Sequence, residues 1–287
     1  MLSFYKLKMT KGYPYTMPEL PEIETIRRGI TPYLLGQTIA QVVIREQRLR
    51  WPIPAKLYTA LPGQTVRAVI RRGKYLLVET EGGWIILHLG MSGSLRILPA
   101  ATPAQRHDHV DLVLTDQTCV RLRDPRRFGA LLWTSESPSQ HPLLAPLGPE
   151  PWDPEFNGEY LYRRARGRVR AVKPFIMDGR TVVGIGNIYA NESLFVSGIH
   201  PAREAGRISL ERYKRLTEAI RQVLDEAIEQ GGTTLRDFVD SQGLPGYFAG
   251  RLKVYNRLDA PCIRCNVPVR HRRLDQRSTY YCSYCQR

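Results

Sequence analysis

Two kinds of hydrophobic pattern divide the chain into a first part rich in strands and a second part rich in helices. Between residues 39 and 134, short runs of β-branched and aromatic residues alternate with polar positions, and Gly, Pro or Asp separates many of them. This pattern predicts about eight strands in an antiparallel β-sandwich or barrel. The predicted strands are Ile39–Ile44, Thr65–Ile70, Tyr75–Thr80, Trp84–Leu89, Ser94–Leu98, Val110–Leu114, Cys119–Arg123 and Ala130–Thr134.

A helix is predicted before these strands. Ile23, Ile26 and Ile30 share one helical face. Pro21 fits the first turn, where a backbone N–H is not needed, and Gly36 can end the helix.

A proline-rich stretch separates the strand-rich part from the helical part. Six prolines fall between residues 138 and 154, which predicts a linker. Beyond it, the apolar positions from Leu210 to Ile228 follow helical spacing and end at Gly231-Gly232. The expected organisation is an extension or mis-assigned start at 1–17, a first domain at 18–135, the linker at 136–155, a helical domain at 156–248 and a cysteine module at 249–287.

Four of the five cysteines form a metal-binding pattern. Cys262, Cys265, Cys282 and Cys285 make two C-x2-C pairs, a spacing typical of a structural zinc ion. Two disulfides in a secreted tail are the alternative, but a two-residue gap strains a disulfide and we see no export signal. We therefore expect one zinc ion and a reducing, cytoplasmic compartment. Cys119, in a predicted strand, is expected to be a buried and inert thiol.

The composition indicates a folded protein with a polyanionic partner. Hydrophobic residues make up 43% of the chain and charged residues 24%, which excludes wholesale disorder. No apolar run approaches the roughly 18 residues of a membrane span, so we expect no membrane contact. The formal net charge of +15 favours nucleic acid, because phosphate contacts release counterions. A merely basic soluble enzyme is the alternative.

The positive charge is concentrated in two segments. Residues 161–180 hold six arginines and one lysine against Asp178 alone, and residues 251–287 hold nine basic residues against two aspartates. A solvated face normally alternates charge signs, so both segments favour nucleic-acid contact over a solubilising surface. Gly184 and Gly186, just before a predicted helix, indicate a phosphate site at its N-terminus, with simple helix initiation as the alternative. A dinucleotide fold would need a third glycine.

Six ordered motifs together resemble the formamidopyrimidine-DNA glycosylase family, the bacterial enzymes that excise oxidised purines. The resemblance begins at Met17 and extends to the last residues of the chain. The motifs are Met17–Glu24, Arg71–Leu77, His88–Gly93, Asp124–Gly129, Gly186–Tyr189 and Gln276–Cys282. The resemblance implies an α+β fold, in which an N-terminal antiparallel β-sandwich precedes a helical helix–two-turn–helix domain and a C-terminal zinc-finger β-hairpin.

The resemblance also implies the chemistry. In this family Met is removed and the proline after it, here Pro18, attacks the sugar C1′ and forms a Schiff base that drives β- and δ-elimination. Glu19 matches the acid/base carboxylate, Lys74 a lysine that assists elimination, and Arg277 an arginine that grips phosphates around the lesion. Without the resemblance, the first three would be read as a helix-starting proline, a helix-dipole partner and a surface lysine.

The family's DNA contacts imply a further set of residues. The expected partner is double-stranded DNA with oxidised purines or abasic sites, bound by a monomer in the cleft between the domains. A lesion must leave the duplex to be reached, and inserted side chains fill the gap. The implied gap-filling residues are Met91, Arg126 and Phe128. A Met and a Phe are more often core residues, but the glycine- and proline-flanked turns that contain them favour exposed loop tips. The implied phosphate contacts are His107, Arg126, Arg168, Lys173 and Asn187, and the loop Ser241–Phe248 resembles a segment that closes over an extruded purine.

The sequence departs from the family at its start. Residues Met1–Thr16 precede Met17, and a peptide bond to Pro18 would remove the free amine that the mechanism needs. Our hypothesis is that translation starts at Met17. A retained extension would leave a non-catalytic lesion-binding protein, which is one alternative. The other is an endonuclease VIII-like glycosylase for oxidised pyrimidines, whose start typically has glycine where Leu20 stands and which usually lacks the loop at 241–248.

Overall fold

A computed structural model describes residues 17–233 and 246–287. Its first half is a β-sandwich with one long helix. The elements are α1 (Leu20–Leu34), β1 (Ile39–Ile44), α2 (Leu57–Ala60), β2 (Val66–Arg72), β3 (Tyr75–Thr80), β4 (Gly83–His88), β5 (Ser94–Pro99), β6 (Asp108–Leu114), β7 (Thr118–Arg123) and β8 (Ala130–Thr134). The strands form two antiparallel sheets, in the orders β1-β6-β7-β5 and β2-β3-β4-β8. The expected sandwich is confirmed.

Helix α1 packs on the sandwich through the face that the sequence predicted. Ile23, Ile26 and Ile30 join the core that the two sheets enclose. Pro21 lies in the first turn, and the Glu22 carboxylate accepts a hydrogen bond from the backbone N–H of Glu19 at 2.8 Å. This contact satisfies a backbone donor that the start of a helix otherwise leaves unpaired. The start of α1 is therefore fixed in position.

The second half is helical and ends in a two-stranded hairpin. Its elements are α3 (Gly158–Ala165), α4 (Val172–Ile176), α5 (Asn187–Val196), α6 (Leu210–Glu229), β9 (Arg270–Leu274) and β10 (Arg277–Tyr281). Tyr189, Leu216 and Val269 belong to one core that also includes Cys262 and Cys282. The cysteine module therefore shares its hydrophobic core with the helices, and the hairpin is not an independent appendage.

Cys119 is fully buried, and burial raises the pKa of its thiol to about 11, as expected for an inert cysteine. Among the helices in the described part of the chain, none has the length and apolarity to cross a membrane.

Candidate active site and nucleic-acid interface

Glu19 lies at the start of α1 and faces the N-terminus of α5. Its carboxylate accepts hydrogen bonds from the backbone N–H groups of Gly186 at 2.9 Å, Ile188 at 2.9 Å and Tyr189 at 3.4 Å. A Cβ at residue 186 would overlap this carboxylate, so only glycine fits there. The glycines before α5 predicted a phosphate at these amides, but in the structure the anion that they bind is the side chain of Glu19. Pro18, also buried, directly precedes it.

Glu19 belongs to a buried pair of acids. Its side chain is 3% exposed, and burial raises its pKa, although the charge of Lys74 and the three amides act in the opposite direction. Glu22 accepts hydrogen bonds from the Tyr189 hydroxyl at 2.5 Å and the Thr233 N–H at 2.7 Å. Burial and the charge of Glu19 raise the pKa of Glu22 to about 7. Such a pair favours holding a proton near neutral pH.

Lys74 lies on the turn between β2 and β3 and reaches the same place from the sandwich side. Its ammonium donates to the Ile185 carbonyl at 3.4 Å. Burial lowers the pKa of Lys74, the charges of Glu19 and Glu22 raise it, and the charge of Arg277 lowers it further. Pro18, Glu19 and Lys74 are thus brought together, and Arg277, exposed at the start of β10, acts electrostatically on Lys74.

Lys173, on α4, is 1% exposed and supports the hairpin. Its ammonium donates to the Ser278 carbonyl and to the Thr279 hydroxyl, both at 2.8 Å. Burial lowers its pKa to about 7, partly offset by the charge of Glu19. The phosphate contact implied for Lys173 stays a prediction. In the structure its ammonium is bound to the hairpin strand, next to Arg277.

The other expected phosphate contacts are dispersed. Asn187, the first residue of α5, donates from Nδ2 to the Tyr255 hydroxyl at 3.5 Å, while its buried Oδ1 has no partner among the described residues. Arg168 is exposed after α3. His107 is partly exposed and has φ 76°, and its carbonyl accepts from the Asp124 N–H at 3.1 Å. These residues come from both halves of the chain, as expected for an extended surface and not for a single pocket.

The three expected gap-filling side chains lie on two neighbouring loops of the sandwich. Phe128 is 44% exposed, which is unusual for a large aromatic residue. The Arg126 guanidinium lies over the Phe128 ring, 4.7 Å from its centroid, and is itself exposed. Met91 is partly exposed on the other loop. The core alternative for Phe128 is therefore wrong, and the side chains present an apolar and cationic surface.

Asp124, which the sequence analysis did not single out, joins these two loops. Its fully buried carboxylate accepts from the Ser92 hydroxyl at 2.8 Å and the Gly129 N–H at 2.8 Å. The Arg126 N–H donates to the Ser92 hydroxyl at 3.2 Å. The only available signal was its position in a turn flanked by Pro and Gly, where Asp commonly binds backbone amides.

The four cysteines of the terminal module converge. The sulfur atoms of Cys262, Cys265, Cys282 and Cys285 all lie within 4.8 Å of one another, which positions them to bind a metal ion. Gln286 supports this cluster, since it accepts from the Cys282 N–H and donates to the Ile199 carbonyl, both at 2.9 Å. Such spacing suits four thiolates around one tetrahedral ion.

Only part of the expected purine-closing loop falls within the described residues. Residues 241–245 of Ser241–Phe248 lie outside the described residues. Of the remainder, Tyr247 is exposed and Phe248 is buried against Tyr189.

Comparisons with known proteins agree with this arrangement. Residues 17–131 match the formamidopyrimidine-DNA glycosylase N-terminal domain, and residues 147–239 match the H2TH domain of the same family. A formamidopyrimidine-DNA glycosylase of Methylococcus capsulatus is 60% identical over 271 residues, 94% of this chain and 100% of the relative. Another from Alkalilimnicola ehrlichii is 58% identical over 277 residues, with the same shares covered.

Solved structures extend the match to three dimensions. The MutM (Fpg) protein of Thermus thermophilus is 39% identical, with a TM-score of 0.83 over 94% of this chain and 98% of that protein. A point mutant of the Lactococcus lactis Fpg, bound to DNA containing Fapy-dG, is 29% identical, with a TM-score of 0.87 over 94% of this chain and 99% of that one. Structures of the L. lactis protein also include DNA with an abasic site and DNA with an oxidized pyrimidine.

Proposed function

Because the chain belongs to the formamidopyrimidine-DNA glycosylase family, whose members act on DNA, we propose that it is a bifunctional glycosylase and abasic-site lyase for oxidised purines. The observation that supports this proposal most strongly is the Glu19 site. Its carboxylate, directly after Pro18, is buried on three amides of the helical domain, and Lys74 approaches it from the β2–β3 turn of the sandwich. An acid, an amine and a cation are the groups that base excision through a covalent intermediate requires.

The reaction begins with the lone pair of the Pro18 nitrogen, which forms a bond to the sugar C1′. The C1′–base bond breaks, and the base leaves with its electron pair and takes up a proton. Glu19 supplies that proton, since its raised pKa keeps the carboxyl protonated at a higher pH than usual. The Pro18 nitrogen then loses its proton to the Glu19 carboxylate, which passes it to O4′ as the C1′–O4′ bond breaks. The electron pair of that bond goes to O4′, and the freed nitrogen lone pair forms the C=N bond of an iminium between Pro18 and C1′.

Strand cleavage follows from this iminium. Because proline is a secondary amine, its iminium has no N–H to lose and stays cationic, so it withdraws electrons from the sugar. Loss of a C2′ proton expels the 3′ phosphate, and a second elimination expels the 5′ phosphate. Lys74 and Arg277, whose charges act on each other, are cations that stabilise these departing anions.

The zinc-finger hairpin and the exposed loops position the DNA. The four cysteines fit a structural zinc ion, which would supply no chemistry except to hold the fold of this module. Lys173 anchors β10 and so sets the position of Arg277. Phe128, Arg126 and Met91 fill the space that the extruded nucleotide leaves, which offsets part of the few kcal/mol that extrusion costs.

The test is borohydride trapping with two versions of the protein. One is the full chain of 287 residues and the other starts at Met17, and intact mass identifies the N-terminus of each. On a duplex with 8-oxoguanine, the version in which Pro18 is the N-terminal residue, with a free amine, should form the covalent adduct. The version that retains residues 1–16 should not. A full chain that keeps its leader and traps equally well would show that another group attacks C1′.

The L. lactis complex with an oxidized pyrimidine favours a second candidate substrate class. Excision of 8-oxoguanine and of thymine glycol from otherwise identical duplexes decides between the two. Much faster removal of thymine glycol would reverse the assignment. If a protein whose N-terminal residue is Pro18 binds both duplexes but is not trapped on either, it would be a lesion-binding protein instead.

A further inference from the structure

The proline-rich linker contains one acid that binds three consecutive residues of the sandwich. The Glu150 carboxylate accepts hydrogen bonds from Arg71 Nη1 at 2.7 Å, Arg72 Nη1 at 3.1 Å and the Gly73 N–H at 2.7 Å. The next residue along the chain is Lys74. The Glu150 side chain is only 16% exposed, so these charge-assisted hydrogen bonds are shielded from water.

Further contacts between the linker and the sandwich fix this turn. Arg72 also donates from Nη2 to the carbonyls of Leu147 at 3.2 Å and Gly148 at 2.5 Å. Gly73 has φ 57°, and a Cβ there would lie 3.0 Å from the Cβ of Val183. The turn is thus held by the linker on one side and by the approach to α5 on the other.

Two residues of the same linker segment, Gly148 and Pro149, also bind the helical domain. The Val183 N–H donates to the Pro149 carbonyl at 3.1 Å, and the Gly148 N–H donates to the Gly179 carbonyl at 2.8 Å. Val183 lies just before Ile185, whose carbonyl accepts from Lys74, and Gly186, whose N–H binds Glu19. Residues 147–150 therefore connect the two parts of the chain that contribute Lys74 and the Glu19 anion site.

Glu150 supplies negative charge to a turn that is rich in positive charge. Arg71, Arg72 and Lys74 place three cations within four residues, and like charges at this spacing repel. Glu150 is ion-paired with both arginines, whereas Glu24 reaches only Arg71, at 3.3 Å. Removal of the Glu150 carboxylate would leave Arg72 without a carboxylate partner and Arg71 with Glu24 alone.

We propose that Glu150 is a positioning residue for the reaction, which holds the β2–β3 turn so that Lys74 reaches the Glu19 site. This inference rests on the proposed function, because it acts through Lys74. A misplacement of about 1 Å can slow a reaction about 100-fold. Glu150→Gln, which keeps the volume but turns donors toward donors, should therefore slow strand cleavage about 10- to 100-fold.

A double-mutant cycle with Lys74→Ala separates positioning from general damage. Single-turnover cleavage of abasic-site DNA is measured for the wild type, Glu150→Gln, Lys74→Ala and the double variant, with thermal unfolding of each. If Glu150 acts through Lys74, its substitution should slow the wild type but not the Lys74→Ala protein. Glu155→Gln, an exposed acid of the same linker, is the matched control and should cleave like the wild type.

Two results would overturn the inference. One is an equal loss in both backgrounds, which would mean a structural role or a separate action of Glu150. The other is cleavage by Glu150→Gln within about twofold of the wild type. A wild-type protein with a free Pro18 amine that neither forms the covalent adduct with DNA nor cleaves it would instead refute the proposed function itself. The two failures are therefore distinguishable.

Discussion

The two sides of the proposed site break the usual rules of burial in opposite ways. On the buried side, Glu19 and Lys173 are charged residues that are almost completely buried, each with hydrogen-bond partners fixed by α5 or by the hairpin. On the exposed side, formed by two loops of the sandwich, Phe128 and Arg126 are accessible to solvent. The first arrangement is stable only because every charge has fixed partners, and the second adds little to stability.

The difference separates two kinds of functional residue. The buried acids and lysine affect folding and chemistry together, because their partners come from distant parts of the chain. We expect the exposed loop side chains to contribute little to folding, because much of their surface stays in contact with water. Substitutions should therefore divide into those that change stability and activity together and those that change activity alone.

The largest effect should follow from removal of the metal ligands on the buried side. Cys262→Ser breaks the cysteine cluster, and structural zinc sites of this kind contribute roughly 10 kcal/mol or more to folding. We expect the hairpin to unfold, Lys173 to lose its partners on β10 and strand cleavage to be abolished. Zinc content, circular dichroism and cleavage of abasic-site DNA measure this. Full cleavage by a protein without bound zinc would contradict it.

Glu19→Gln should have the next largest effect, because the amide cannot supply a proton. We expect base release from 8-oxoguanine DNA to slow about 10²- to 10⁴-fold, with a smaller loss on DNA whose base is already missing. In the unaltered protein, base release should fall as pH rises through the raised pKa of Glu19, since the protonated form is the donor. Single-turnover rates on the two DNAs test both points, and equal losses on both would argue against the acid role.

The sequence predicted the elements of the sandwich well, because alternation of apolar residues determines which side of a strand is buried. It also located an anion site at Gly186, but it could not identify the anion. Glu19 and Gly186 are 167 positions apart, and no local pattern shows which carboxylate reaches the helix. Lys173 illustrates the same limit, since its partners Ser278 and Thr279 come from the hairpin.

The linker was predicted from its prolines, yet its contacts were not. A proline in the sequence indicates only where a helix or strand ends. Glu150 looks like an ordinary surface acid in the sequence, and only the fold brings Arg71, Arg72 and Gly73 to it. In contrast, the sequence could place Phe128 on an exposed loop, because flanking Gly and Pro residues indicate a turn.

A pair of phenylalanines sharpens the comparison between the two sides. Phe128→Ala, at 44% exposure, should change the free energy of unfolding by no more than about 0.5 kcal/mol. It should nevertheless slow excision about 10-fold, because one of the three side chains that fill the gap in the duplex is then missing. Phe156→Ala is the matched control: it is fully buried in the helical core and should lose about 3–5 kcal/mol of stability.

Urea unfolding and single-turnover excision on the same samples measure both quantities. Excision by Phe156→Ala, corrected for its folded fraction, should stay close to that of the wild type. A strong loss of stability in Phe128→Ala would mean that the exposed loop supports the fold after all, and the division between the two sides would fail.

The last prediction concerns a partly buried histidine behind the exposed loops. Nδ1 of His88 accepts from the Gly90 N–H at 3.0 Å, next to Met91, and burial together with the charges of Lys74 and Arg50 lowers its pKa to about 4. An unfolded histidine titrates near about 6.5, so the unfolded chain takes up a proton first as pH falls. The contribution of His88 to the free energy of unfolding is therefore fully present above about pH 6.5. It decreases as the pH falls toward about 4, by at most about 3 kcal/mol.

Glu22 has the opposite sign in the same pH range, because its pKa of about 7 lies above that of an unfolded glutamate. The wild-type curve alone would mix the two effects, and the difference between the wild type and His88→Asn isolates the histidine. Asparagine can accept from the Gly90 N–H and does not titrate, so its stability should fall less between about pH 6.5 and pH 4.5. Parallel curves from urea unfolding would show that His88 is not desolvated, and the exposed side of the site would then owe none of its pH dependence to this histidine.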